Sequence, residues 1–239
     1  GLRGHTALIG VGSCSRLLVE DLLAMYRKNR RSCRIAVLGS AAEPPEWLES
    51  SFFRHVVYRS GDPMRAHDLA RVDVSQARRV LVMTEGGPSA DARTVAAVLA
   101  IRACTPHADV YLDVEHEKDF AAARLAGGPR THVIGAGSLL GYVVAHNAVH
   151  PGANRGVREL LAQGGVDLYT YLYDDSELGC LRKPRQRLDP AALYRAFLRQ
   201  GVVLLGAFAR AEGTSPERAE YPRVLLNLFD LDEEAAPFV

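Results

Sequence analysis

The first half of the chain alternates short apolar runs with longer amphipathic ones. The apolar runs are continuous, which is typical of strands buried on both faces of a parallel sheet. Six strands are predicted: Thr6–Ile9, Arg34–Leu38, His55–Tyr58, Val80–Met83, Val110–Asp113 and His132–Ile134. The helices predicted between them are Ser15–Tyr26, Glu46–Phe52, Ala66–Arg71, Asp91–Cys104 (with Asp91 as N-cap) and Lys118–Ala126. This alternation predicts an α/β fold built on a Rossmann-like doubly wound parallel sheet.

The pattern changes after Ile134. The segment Ser138–His150 is predicted to be a helix with apolar positions on more than one face, which a surface helix of a monomer would not have. We therefore expect this crossover helix to form an interface. A helix at Pro190–Gln200 and strands at Val202–Phe208 and Arg223–Phe229 predict a small α+β C-terminal lobe. The predicted divisions are a Rossmann-like lobe at 1–135, crossover and dimerisation helices at 136–164, and the small lobe at 165–239.

Composition and charge narrow the partners of the chain. Of 239 residues, 48% are hydrophobic and 24% are charged, as in an ordinary globular protein, and the net charge of +1 points to no nucleic-acid partner. The longest apolar runs are far shorter than the roughly 18 residues of a membrane span, and no N-terminal leader is predicted. The four cysteines are scattered without a CxxC pair, which favours a reducing, cytoplasmic setting.

A glycine turn follows the first predicted strand. Gly10 and Gly12 occupy the first two positions of a dinucleotide fingerprint, while Ser15 stands at the third and Ser40 follows the second strand where an acid would bind ribose. Two interpretations stay open, a structural turn or a bound nucleotide held at a helix N-terminus. Gly61-Asp62-Pro63, a strand-to-helix turn, marks the rim of the same predicted cleft. The candidate nucleotide or ligand residues are Gly10, Gly12, Ser13, Ser15, Ser40 and Asp62.

A second candidate site lies at the end of the fifth strand. Asp113, Glu115 and Glu117 alternate, so their carboxylates are predicted to converge at the carboxyl edge of the sheet. Such a group would hold Ca²⁺ or another cation; the alternative is a solvated acidic loop. His146 and His150, one helical turn apart, are either half of a zinc site or favourable charges at a helix C-terminus. No nucleophile elbow, P-loop or HExxH motif is found, so no catalytic residue is predicted.

Several of these segments share a family likeness in their order and spacing. The segments are Gly4–Gly10, Gly61-Asp62-Pro63 with Asp68-Leu69, Ala77–Val82, Leu125–Gly128 and the helix Ser138–His150. Together they resemble the RCK domain, the regulator of K⁺ conductance found in potassium channels and in Trk/Ktr transporter subunits. Further along, Gly165–Leu181, Ala192–Phe197 and Gly201–Gly206 are most similar to the C-terminal lobe of Castor/Pollux-type ion channels.

The resemblance implies a non-catalytic, ligand-sensing domain that gates a potassium or related cation channel. It implies a cytoplasmic domain attached to or associated with a membrane protein, with a transmembrane pore as partner. It also implies a homodimer formed through Ser138–His150, assembled further into a tetramer or octameric ring. The sequence departs from nucleotide-binding members at Ser15 and Ser40, and Met83 stands where calcium-binding members carry another acid. The alternatives are a soluble regulatory subunit of a Trk/Ktr-type transporter and an NAD(P)-dependent oxidoreductase.

Overall fold

The computed structural model describes residues 2–28, 34–161, 190–199, 201, 203–205, 207–209 and 223–225. The chain divides into two compact units, Gly1–Leu168 and Tyr169–Val239.

The first unit alternates strands and helices along its described length. The strands are β1 (Thr6–Ile9), β2 (Ile35–Gly39), β3 (Val56–Ser60), β4 (Arg79–Val82), β5 (Asp109–Asp113) and β6 (Thr131–Ile134). The helices are α1 (Ser15–Lys28), α2 (Ala66–Ala70), α3 (Ala90–Cys104), α4 (Phe120–Gly127), α5 (Ala136–Val149) and α6 (Ala153–Leu161).

All six strands pair in parallel in the order β3-β2-β1-β4-β5-β6. Strand β1 lies between β2 and β4, so the direction of winding reverses at the β1/β4 boundary. That reversal is the switch point at which open α/β sheets bind ligands, outside the carboxyl ends of their strands. The prediction of a Rossmann-like doubly wound parallel sheet is confirmed.

The core lies on both faces of this sheet, which explains the continuous apolar runs. One face packs Leu8, Ile35 and Val37 against helix α1, and the other packs Ile9, Val80 and neighbouring strand residues against α2, α3 and α4. The residues of β1 and β2 are all buried. Each fully buried aliphatic side chain contributes about 1.5–3 kcal/mol, so the central strands dominate the stability of this unit.

One arginine ties the amino edge of the sheet together. The guanidinium of Arg102, on α3, donates to the carbonyls of Ala108 and Arg130 at 2.7 Å each. It also donates to the carbonyl of Gly127 and to Thr131 Oγ1. These acceptors lie at the end of α4 and at the starts of β5 and β6, so a single half-buried cation links three connections.

Two predicted helices begin or break differently in the structure. The predicted helix Glu46–Phe52 is instead two 3₁₀ turns, Glu46–Glu49 and Ser51–Phe53, because Ser50 is extended (ψ 139°) and its hydroxyl accepts from the amide of Phe52. The predicted helix Lys118–Ala126 starts as a 3₁₀ turn, Glu117–Asp119, before α4.

The prediction that Asp91 is the N-cap of its helix is wrong. Ser89 holds that position with a left-handed backbone (φ 61°) and no capping hydrogen bond, and α3 starts at Ala90. The carboxylate of Asp91 is buried and instead accepts hydrogen bonds from the loop that follows β5. Burial and long-range amide partners replaced local capping at this residue.

The second unit has three described elements: helix α7 (Pro190–Arg199) and antiparallel strands β7 (Ala207–Ala209) and β8 (Arg223–Leu225). The predicted strand Val202–Phe208 is shorter than expected, since 203–205 lie outside β7. The Castor/Pollux-like segment at Gly165–Leu181 lies outside the described residues. Among the described helices, none has the length and hydropathy of a membrane-crossing segment.

Candidate ligand cleft at the carboxyl edge of the sheet

A cleft opens at the switch point between β1 and β4. It is lined by the end of β1, the β4–α3 connection, the first turns of α3, and Pro63 from the turn after β3. Its lining residues are Ile9, Gly10, Pro63, Val82, Met83, Glu85, Gly86, Ala90, Arg93, Thr94 and Ala97. The predicted ligand residues Gly12, Ser13, Ser15, Ser40 and Asp62 are not part of this lining.

The glycine turn after β1 is required by the approach of another strand. Gly10 has a left-handed backbone (φ +84°), and a side chain there would overlap the carbonyl oxygen of Met83. A side chain at Gly12 would overlap the carbonyl oxygen of Thr84. Both glycines therefore allow the β4–α3 connection to lie directly against the turn. This contact accounts for the glycines without a ligand.

Ser15 is built into the same turn. Its side chain is fully buried, and its hydroxyl accepts a 2.9 Å hydrogen bond from the amide of Gly12. A glycine at this third fingerprint position could not provide that acceptor. The hydroxyl of Ser13, in contrast, lies exposed beside Cys14 Sγ at 3.8 Å.

Glu85 occupies the anion-binding part of the turn and is not among the residues predicted from the sequence. Its Oε1 accepts hydrogen bonds from the amides of Val11 and Ser40, each at 3.2 Å, and thus joins the carboxyl ends of β1 and β2. Its Oε2 lies 3.7 Å from Arg93. Burial, with the Glu85 charge added, raises the pKa of Tyr58, which lies beside this group. A carboxylate of the chain therefore sits where a Rossmann domain presents amides to a phosphate.

Asp62 shapes the turn at the rim of the cleft. Its Oδ1 accepts from the amide of Met64 at 3.0 Å, and its own amide donates to Asp68 Oδ2 at 3.0 Å. That amide is the largest influence that lowers the pKa of Asp68. A side chain at Gly61 would come within 2.8 Å of Asp68 Cβ, so glycine is required there for packing. In this structure Asp62 does the work of a turn residue.

The carboxylates at the end of β5 are predicted to converge, but in the structure they do not. Asp113 is half-buried; burial raises its pKa, the amide of Ala136 opposes this, and the charges of Asp91 and Glu115 add to the rise. Glu115 and Glu117 are exposed. Within the described residues, the carboxylates of Asp113, Glu115 and Glu117 do not form a group with ligand atoms within 4.8 Å of one another.

A different set of side chains does converge at this edge. Ligand atoms of Asp91, His116 and Asp119 all lie within 4.8 Å of one another. The sequence signal for this group was the His116 to Asp119 spacing in the loop after β5, but Asp91 lies on another element. The rings of His146 and His150 stack at 6.5 Å on α5, and no third ligand joins them among the described residues.

Residues 2–112 match the model of the calcium-activated potassium channel slowpoke-like RCK domain. These residues are therefore similar to an RCK domain. The match runs from the residues before β1 to β5, and therefore includes the glycine turn, the Gly61–Pro63 turn and Glu85. None of the curated proteins matches the chain. The likeness of the C-terminal residues to the Castor/Pollux type stays a prediction.

Three solved structures illustrate the similar chain path. The TrkA-N domain of the inner membrane protein ybaL from Escherichia coli has 16% identity and a TM-score of 0.49, covering 61% of this chain and 96% of its own. The structure of GsuK bound to ADP has 20% identity and a TM-score of 0.49, and the match covers 62% of this chain and 35% of the GsuK chain. The NAD(P)-binding domain of an exopolyphosphatase-related protein from Archaeoglobus fulgidus has 18% identity and a TM-score of 0.47, covering 62% and 98%. The chain thus spans about a third of the GsuK chain.

Proposed function

We propose that this chain is the ligand-sensing, non-catalytic regulatory domain of a potassium or related cation channel, acting as a homodimer or larger ring on a transmembrane pore. The similarity of residues 2–112 to an RCK domain provides the family context. The observation that carries the assembly part of the proposal is the surface of helix α5.

Helix α5 is apolar, yet none of its residues is buried. Its exposed large side chains are Leu139, Leu140, Tyr142, Val144 and Val149, each more than half exposed. A contiguous apolar surface of this kind marks an interface. A second copy of the helix is the partner we propose, because the same apolar surface is then buried on both sides of a two-fold axis.

The carboxyl edge of the sheet is connected to α5. The amide of Ala136, the first residue of α5, donates to the carboxylate of Asp113 at the end of β5. The amide of Val114 donates to the carbonyl of Ile134 at 2.9 Å, just before the helix. A ligand that displaces this edge would therefore shift the start of α5. Coupling of this kind typically amounts to about 1–3 kcal/mol between two arrangements of the pair.

Of the ligands expected from the sequence, the contacts favour a cation over a nucleotide. The amides of Val11 and Ser40 already have an ionised acceptor in Glu85, which would repel a pyrophosphate. At the end of β5, carboxylates accumulate with an unfavourable mutual charge that a cation would relieve.

The pairing is tested by sedimentation of the full chain carrying Leu140→Asp and Val144→Asp. We expect monomers, because two charges would be buried without partners in the interface. Leu125→Asp is the matched control, since Leu125 is 87% exposed and lies on α4, not on α5. Dimers that persist in the double variant would exclude α5 as the interface.

The sensing part is tested by thermal melting of the wild-type chain with Ca²⁺, Na⁺, K⁺, NAD(H) and adenine nucleotides. A ligand that binds only the folded chain raises its melting temperature by mass action. At a hundred times its Kd, such a ligand adds about 2.7 kcal/mol to the free energy of unfolding. Stabilisation by NAD(H) alone, followed by hydride transfer to a substrate, would establish the oxidoreductase alternative instead. Association with a separate pore protein, rather than a fused one, would indicate the Trk/Ktr type of subunit.

A further inference from the structure

The geometry points to a binding site for a divalent transition-metal ion, formed by Asp91, His116 and Asp119 at the carboxyl edge of the sheet. The site is separate from the cleft between β1 and β4. It also differs from the set Asp113, Glu115 and Glu117 predicted from the sequence. The proposal does not depend on whether the domain gates a channel.

Three elements bring the ligand atoms together. Asp91 lies in the first turn of α3, His116 in the loop after β5, and Asp119 at the end of the 3₁₀ turn before α4. The amide of Asp119 donates to the carbonyl of His116 at 3.0 Å, which fixes the loop that carries two of the three ligands. An ion about 2.0–2.2 Å from each donor needs donors up to about 4 Å apart, so the present spacing within 4.8 Å requires only a small closure.

Asp91 is held in place before any ion binds. Its side chain is 6% exposed, and its two oxygens accept from the amides of Glu115 at 2.8 Å and His116 at 2.9 Å. The carboxylate is therefore an oxygen ligand held in place by two backbone donors, as a metal site requires.

His116 and Asp91 are already in contact. His116 Nδ1 lies 2.8 Å from Asp91 Oδ2, so one proton is shared between two atoms that both bind metals. A metal ion would replace that proton, and the structure therefore needs little rearrangement at this pair.

Asp119 is the residue whose position a local role does not explain. It stands at the N-cap of α4, where aspartate usually accepts an amide of the helix, yet its side chain makes no capping hydrogen bond. Its half-buried carboxylate instead lies within 4.8 Å of the ligand atoms of Asp91 and His116. A cation between the three groups would provide the partner that the helix does not.

The donor set selects the class of metal. One imidazole nitrogen and two carboxylate oxygens suit Zn²⁺, Co²⁺ or Mn²⁺, whereas Ca²⁺ takes oxygen ligands only. His116 is largely exposed, which leaves room for one or more water ligands and access for an ion from solvent.

The test is titration of the full chain with Zn²⁺ by calorimetry and with Co²⁺ by visible absorption. We expect saturable binding of both ions by the wild type. Asp119→Asn and His116→Ala should each weaken Zn²⁺ binding at least about 10-fold, and His116→Ala, which removes the nitrogen ligand, should also change the visible absorption of bound Co²⁺. Both positions are at the surface or half-buried, so melting without metal should confirm that the variants fold.

Two controls separate this site from its neighbours. Glu117→Gln alters an exposed acid in the same turn and should change Zn²⁺ affinity less than 2-fold, a bound set by the small effect of a non-ligand charge in water. His146→Ala with His150→Ala removes the other histidine pair and should leave affinity unchanged. The proposal is overturned if the wild type shows no saturable Zn²⁺ binding, if Asp119→Asn and His116→Ala bind like the wild type, or if the α5 histidine variant abolishes binding.

Discussion

Replacement of Glu85 by alanine should destabilise the domain and expose an anion site. Its Oε1 accepts two amides at 3.2 Å, at the long end of the hydrogen-bond range. Hydrogen bonds to an ionised acceptor contribute about 1.5–3 kcal/mol each. We use the lower value and reduce the loss further, because water replaces the carboxylate at the amide of the exposed Ser40 in the variant. The more exposed Arg93 pair adds little. The expected loss is about 2 kcal/mol, or a melting temperature lower by about 4–8 °C.

The same variant should gain affinity for phosphate. With the carboxylate gone, the amides of Val11 and Ser40 lose their acceptor, and inorganic phosphate, ADP or NAD should raise the melting temperature of Glu85→Ala but not of the wild type. Glu43→Ala is the matched control, because Glu43 is an exposed acid in the loop after β2. The reasoning is refuted if Glu85→Ala loses less than about 0.5 kcal/mol, the level of an ordinary surface change. It is equally refuted if the wild type binds NAD more tightly than the variant does.

Three further changes test other contacts. Gly12→Ala should lower the free energy of unfolding by about 1–3 kcal/mol in chemical denaturation, because the added Cβ meets the carbonyl of Thr84. Gly156→Ala, with open space around it, should raise the free energy of unfolding by up to about 1 kcal/mol, and equal effects of the two changes would contradict the contact. Arg102→Met should cost about 3 kcal/mol by leaving several carbonyls unpaired, against a near-neutral change for the exposed Arg124→Met. Because the folded-state pKa of Asp68 is lowered, its stabilisation is complete above the ordinary carboxyl pKa of about 3.9 and is lost as pH falls below it. The stability difference between wild type and Asp68→Asn should therefore shrink in acid; a difference independent of pH would contradict this.

The sheet could be predicted from the sequence because its signal is local. Strand Thr6–Ile9 is buried on both faces, so an apolar run follows Thr6, and the predicted and observed bounds of β1 agree. The predicted helix Glu46–Phe52 was wrong because an extended Ser50 interrupts a stretch whose composition alone suits a helix.

The contacts of the candidate sites could be predicted only in part. Periodicity placed Asp113 and Glu115 at the carboxyl edge, but it could not bring Asp91, on the helix before β5, to the loop after that strand. Nor could it show that Glu85 reaches Val11, 74 positions away in the sequence. Gly10 and Gly12 are interpreted from the sequence as making room for a ligand. In the structure they make room for the carbonyl oxygens of Met83 and Thr84.

The Arg102 contacts have a consequence for where the domain opens. They hold the amino edge of the sheet by several hydrogen bonds from one side chain, while the carboxyl edge ends in loops with the left-handed residues Gly86, Gly87 and Ser89. Amide hydrogen exchange should accordingly be slow at the starts of β5 and β6 and faster in the β4–α3 connection. Local unfolding would then begin at the carboxyl edge of the sheet, while the amino edge stays folded.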